Sequence, residues 1–235
     1  MHKIQALLIG APVASFLFLV TLATTVAVFQ NASLFQRFEL KPYTFVHERK
    51  RFTVLTSGLI HANWQHLFFN MLTFYFFAFT LERMFVMRQA VWIPVDDTDG
   101  QLFAEIIGRS KFFVFYLACM VIAVVTTIIK YKDDPSYRAV GASGALSGVV
   151  IGYIILAPSL SMHVMIFGVV PGWLFALLYV GGSYVLGRMQ PRSGIAHEAH
   201  LWGSLAGLIL TVVMFPKESW MFVESVTGWW ELMRG

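Results

Sequence analysis

Apolar runs of about bilayer-crossing length recur from one end of this chain to the other, and no other feature restricts its fold as strongly. A hydrocarbon core needs about 20 apolar residues for one helix to cross it. Runs fall at 4–29, 65–85, 112–130, 140–157, 164–187 and 200–215. Hydrophobic residues make up 57% of the chain and charged residues 13%, whereas soluble domains carry about 25% charged residues. A soluble globular domain is thereby excluded. The expected fold is all-α: one membrane domain of six transmembrane helices over 1–215, then an amphipathic tail over 216–235 lying at the interface. The formal net charge of +4 is small, and its basic residues sit between apolar runs. That distribution fits contact with lipid headgroups, so the expected partner is the lipid bilayer, with no nucleic acid. Lys3 precedes the first run, but Ile4 to Phe29 is longer than the 7–15 residues of a signal-peptide core, and it is read as a retained first helix.

The runs are not alike. Runs two, four and six are near the lower length limit and carry the unusual polar residues, so they belong inside the bundle, with the longer runs one and five outside. Residues 30–64 form a long, basic, aromatic loop, and Asp96 to Gly100 read as a solvated turn. Pro191, Ser193 and Gly194 make a link directly before the sixth run. Cys119 is the lone cysteine, lies within an apolar run, and is read as a small buried hydrophobe.

Three polar clusters carry chemistry. Gly141-Ala142-Ser143-Gly144 opens the fourth run. A helix start offers unpaired N–H groups to an oxyanion, and glycines let a substrate backbone approach a serine hydroxyl. Gly144, Gly148 and Gly152 equally form a small-xxx-small ladder of the kind membrane helices use for close packing. In the sixth run His200, Gly203, Ser204 and Gly207 share one helical face. Docking that face on the ladder would bring an imidazole toward Ser143; a histidine capping the helix at the interface is the plainer alternative. In the second run His66 and Asn70 are one turn apart, and both can donate hydrogen bonds, as an oxyanion hole or a structural inter-helix bond requires. The aspartates, at 96, 97, 99, 133 and 134, all lie outside the runs. No acid is placed to complete a triad, so a serine–histidine dyad is what remains. His61, His66, His197 and His200 lack the HExxH or cysteine spacing of a metal site, and no metal or cofactor is expected.

Together the clusters resemble the rhomboid family of intramembrane serine proteases. His61-Ala62-Asn63-Trp64-Gln65-His66-Leu67-Phe68-Phe69-Asn70 is similar to the family's H-x4-H-x3-N segment, Gly141 to Gly144 to its G-x-S-G, and Ala199 to Gly207 to its A-H-x2-G-x3-G. The motifs stand in family order and the resemblance covers about residues 5–215. It implies a six-helix rhomboid-like bundle that hydrolyses peptide bonds in or near transmembrane segments of membrane-protein substrates. Ser143 would be the nucleophile and His200 the general base and acid, with His66, Asn70 and the Ser143 N–H as the oxyanion hole. It also implies a multi-pass location in the cell (inner) membrane of a bacterium, with cytoplasmic termini. A positive-inside count mildly opposes that orientation, seven basic residues on the side of the termini against ten on the other. Two departures stand out: the first loop has no Trp-Arg pair, and Ser147 occupies the place where many members carry a tyrosine that stacks on the histidine. The alternative reading is a catalytically silent rhomboid-like protein that binds membrane helices without cutting them.

Overall fold

A computed structural model describes residues 9–91, 93–164, 168–189 and 197–232. The first residues of run one and the link through Pro191, Ser193 and Gly194 lie outside the described residues. Helix α1 spans Pro12–Gln30. Pro12 has no N–H to satisfy at the first turn, and the next free N–H groups, of Val13 and Ala14, donate to the Glu82 carboxylate at 3.2 and 2.6 Å. Glu82 is fully buried. A carboxylate so placed is costly unless it is hydrogen-bonded, and the positive end of α1 supplies the bonds.

The loop after α1 is folded. Asn31 caps α2 (Ala32–Phe38) by accepting the Leu34 N–H at 3.0 Å, and α3 (Pro42–His47), α4 (Thr53–Thr56) and a 3-10 turn (Ser57–Leu59) follow. Leu40 and Ala139 exchange backbone hydrogen bonds of 3.1 and 2.9 Å, and Gly141 N–H donates to Ser57 O at 2.8 Å. Buried Glu39 faces Lys41 at 2.9 Å and Arg138 at 3.6 Å. These contacts pin the loop to the segment leading into Ser143, without a Trp-Arg pair.

Run two continues as α5 (Trp64–Thr73), a π-helical turn (Phe74–Ala78) and α6 (Phe79–Ala90). Helix α7 (Thr98–Tyr131) is longer than its apolar run. Asp97 accepts the Gly100 N–H at 2.9 Å and so starts the helix inside the stretch read as a turn. Its polar first turns carry an Arg109–Glu105 ion pair one turn apart.

Helix α8 (Ser143–Leu156) has 14 residues, about 21 Å at 1.5 Å per residue, short of a hydrocarbon core of about 30 Å. All of it except Ser143 and Tyr153 is buried. Residues 161–164 and 168–171 correct the expected start of run five. They form an antiparallel strand pair, β1 (Ser161–Val164) and β2 (Gly168–Pro171), pairing Ser161 with Pro171 and Val164 with Gly168. Apolar composition alone does not separate a β-branched strand pair from the beginning of a helix. Helix α9 then runs Gly172–Met189, α10 His197–Met214 and α11 Pro216–Leu232, the last turned 114° from α10 at Pro216. The Ser225 hydroxyl donates to Pro158 O at 3.4 Å and Arg88 approaches Glu218 at 3.8 Å, docking α11 beside the end of α8.

Glycines set the packing at the centre. A Cβ added at Gly144 would lie 2.6 Å from Ala123 Cβ, and one at Gly152 would lie 2.9 Å from the Phe115 ring. Cys119 fills the equivalent place against Gly148, buried as expected, so α7 and α8 run antiparallel. On the other side of α8, Gly203 meets the Gly144 carbonyl and Gly207 the Gly148 carbonyl, so α10 runs parallel to α8. Among the described residues α1 and α7 are each long and apolar enough to cross a bilayer, and α8 and α9 are apolar but shorter. The molecule is an integral membrane protein built as a helical bundle.

Candidate active site

Ser143 is the first residue of α8, and the residues before it explain its setting. Gly141 has φ +118°, a left-handed conformation that favours glycine. A side chain there would also collide with His66, whose Cε1 and Nε2 would lie 2.7 and 2.8 Å from the added Cβ. Helices α5 and α7 are capped by Asn63 and Asp97, but the N-cap of α8 is Ala142, which offers no acceptor. The first-turn N–H groups beside the Ser143 hydroxyl therefore lack a side-chain partner. An anion arriving there would find donors and the positive helix end.

The glycine seam brings the sixth-run histidine to this end of α8. With Gly203 against Gly144, His200 lies one turn away, and Ala199 O would be 3.5 Å from a Cβ at Gly144. No hydrogen bond between Ser143 Oγ and His200 is formed among the described residues. Catalytic bonds of this kind often tighten only around substrate. The His200 ring faces Tyr179 of α9, with centroids 6.3 Å apart and planes 20° apart. Tyr179 Oη is 2.7 Å from Ser147 Oγ.

The second-run pair lies on the opposite flank. The His66 N–H is capped by Asn63 at 2.8 Å, and its ring stands against Gly141. Asn70 is buried; its Nδ2 donates to His66 O at 2.9 Å, one amide proton is left over, and Oδ1 has no partner.

His61, a member of the same motif, has a structural role that spacing did not reveal. Ala142 N–H donates to His61 Nε2 at 3.4 Å, which places the ring proton on Nδ1. Nδ1–H then donates to Thr25 Oγ1 at 3.0 Å, and the threonine hydroxyl donates to Leu59 O at 3.2 Å. Each donor is used once. Burial, reinforced by the nearby His66, pushes the His61 imidazole down to about 3. The neutral ring thus ties α1 to the loop carrying Ser143. A small cavity of ≈ 30 Å³, lined by Ser143, Gly141, Ser57 and Thr127 among others, adjoins the site. Such a space holds a water molecule or two.

Residues 48–217 match the family model for the rhomboid domain. The chain belongs to the rhomboid family. Among curated rhomboids it is 27% identical over 158 residues to RHOMBOID-like protein 12, mitochondrial, of Arabidopsis thaliana, covering 67% of this chain and 44% of that protein. It is 25% identical over 173 residues to Rhomboid protease GlpG of Haemophilus influenzae, covering 73% of this chain and 68% of that one. The chain thus spans less than half the length of the Arabidopsis relative. The three motifs quoted from the sequence all lie within the region that matches the rhomboid domain.

Proposed function

We propose that this rhomboid is an intramembrane serine endopeptidase, crossing the membrane six times, that cuts in or near transmembrane segments of membrane-protein substrates. The observation that carries the reading is the α8–α10 seam. It sets an uncapped helix start bearing Ser143 beside the turn bearing His200. Ser143 Oγ attacks the scissile carbonyl as His200 takes its proton; His200 then protonates the leaving amine, and water opens the acyl-enzyme. The oxyanion is held by the Ser143 N–H together with His66 and Asn70. Membership of a family that includes a named protease supports the chemistry. We place the protein in a bacterial inner membrane with cytoplasmic termini. The five basic residues between 30 and 64 sit on a folded loop, where long side chains can reach headgroups without reporting orientation.

Labelling with an activity-based fluorophosphonate decides the chemistry. The native protein should label and should cleave a model transmembrane substrate, while folded Ser143→Ala and His200→Ala should do neither. Undiminished labelling of Ser143→Ala would reject the nucleophile. A folded native protein that binds transmembrane helices but neither labels nor cleaves would establish the silent binding protein instead.

A further inference from the structure

Ser147 follows Ser143 by one turn of α8, and its hydroxyl lies 2.7 Å from the Ser143 carbonyl oxygen. That carbonyl can only accept, so the serine's single proton goes to it. Ser147 Oγ must then accept from Tyr179, whose Oη is also 2.7 Å away. The phenol is tethered at its tip, and both hydroxyl protons are assigned.

The rest of the ring is held by stacking. The Phe175 ring, one turn earlier on α9, is centred 6.0 Å from that of Tyr179 with planes 12° apart, and the His200 ring is centred 6.3 Å from it at 20°. The three rings are near-parallel, with His197 edge-on to His200 at 6.1 Å. Glu198, the acid next along α10, is paired with Lys130 and does not engage His200. An imidazole that shuttles a proton must be kept in one orientation, and among the described residues no carboxylate holds it by hydrogen bonding.

We propose that Tyr179, tethered by Ser147, is the positioning residue for His200. The inference rests on the serine–histidine reading above. It adds that the base is oriented from α9, a helix that contributes no residue to the proposed dyad. Helix α9 carries exposed Leu177, Leu178 and Val185 on its outer side. Its inner side reaches α8 through the Tyr179–Ser147 bond. Orientation of His200 therefore depends on α9 holding Tyr179 in place.

Tyr179→Ala, Tyr179→Phe and Ser147→Ala, purified in detergent, test this. Cleavage kinetics should show kcat falling about 10²-fold in Tyr179→Ala with KM nearly unchanged, the scale of a misplaced catalytic group. Tyr179→Phe and Ser147→Ala, which each lose the same hydrogen bond but keep the ring, should fall less, and their combination no further than either alone. Independently of activity, the His200 ring proton resonance should carry an upfield ring-current shift that persists in Tyr179→Phe and vanishes in Tyr179→Ala. A folded Tyr179→Ala with unchanged kcat, or a His200 resonance identical in all variants, overturns the proposal. If the native protein never cleaves, the protease reading fails, and the resonance still decides whether Tyr179 orients His200.

Discussion

The two sides of α8 are built on opposite principles. Toward α7 and α10 it presents glycines, and the neighbouring backbone and small side chains fill the space that side chains would need. Toward α9 it presents Ser147, whose hydroxyl meets Tyr179, and Ile154, against which Gly172 packs. A seam of close backbones has few alternative arrangements, since interiors packed at this density do not deform continuously. A contact made by side-chain tips can open without disturbing the helices behind it. Residues needing a fixed place, Ser143 and the N–H groups after it, stand on the glycine side. The orientation of His200 is set from the other side.

The largest expected effect is at the proposed oxyanion donor on α5, which belongs to neither side. Asn70→Ala should lower kcat by about 10²–10³, the measured scale for an oxyanion donor, with a smaller change in KM. Early melting of Asn70→Ala, with activity lost only in proportion to unfolding, would make Asn70 a structural inter-helix bond.

Next comes the seam itself. Gly203→Ala drives a methyl into the Gly144 carbonyl, so it should cost about 1–3 kcal/mol or separate the helices outright. Thermal unfolding in detergent measures it. The matching change on the other side, Leu178→Ala on the exposed face of α9, should stay within about 0.5 kcal/mol. Equal effects at the two positions would dissolve the comparison.

A smaller, pH-dependent effect concerns the anchor behind the serine loop. His61 is neutral when folded, its folded value of about 3 lying below the ordinary 6.5. The unfolded chain takes up this proton first, so the stability from His61 is complete above about 6.5 and is lost as pH falls toward about 3. Protonation would also remove the acceptor for the Ala142 N–H. Unfolding followed from pH 7 to 4 should show a steeper decline in the native protein than in His61→Gln.

Orientation in the membrane is checked by labelling rather than by energetics. On a Cys119→Ser background, an impermeant maleimide added to intact cells should label exposed Ser33→Cys and Ser136→Cys and spare exposed Lys217→Cys until the cells are opened. The reverse pattern would invert the assignment.

The sequence by itself determined the membrane class, the buried place of the fourth run, and the face on which His200, Gly203 and Gly207 align; runs two and six, also expected inside, each expose a face that carries Phe68 and Phe69, and Ile209 and Val213. Those properties depend on hydropathy and on residues three or four apart, which helical periodicity alone brings together. It placed the start of run five too early, because valines and a glycine suit a strand pair as well as they suit an apolar helix. Only the tertiary structure decided which distant residues support the site. Glu82 caps α1 from 68 and 69 residues away, His61 meets Ala142 across 81, and Tyr179 finds Ser147 across 32. One turn after Ser143 stands a serine, and a phenol from a different helix bonds to it and lies near-parallel to the His200 ring. No local pattern encodes such a pairing, because the distance between two side chains on different helices is set by how closely the backbones between them can pack.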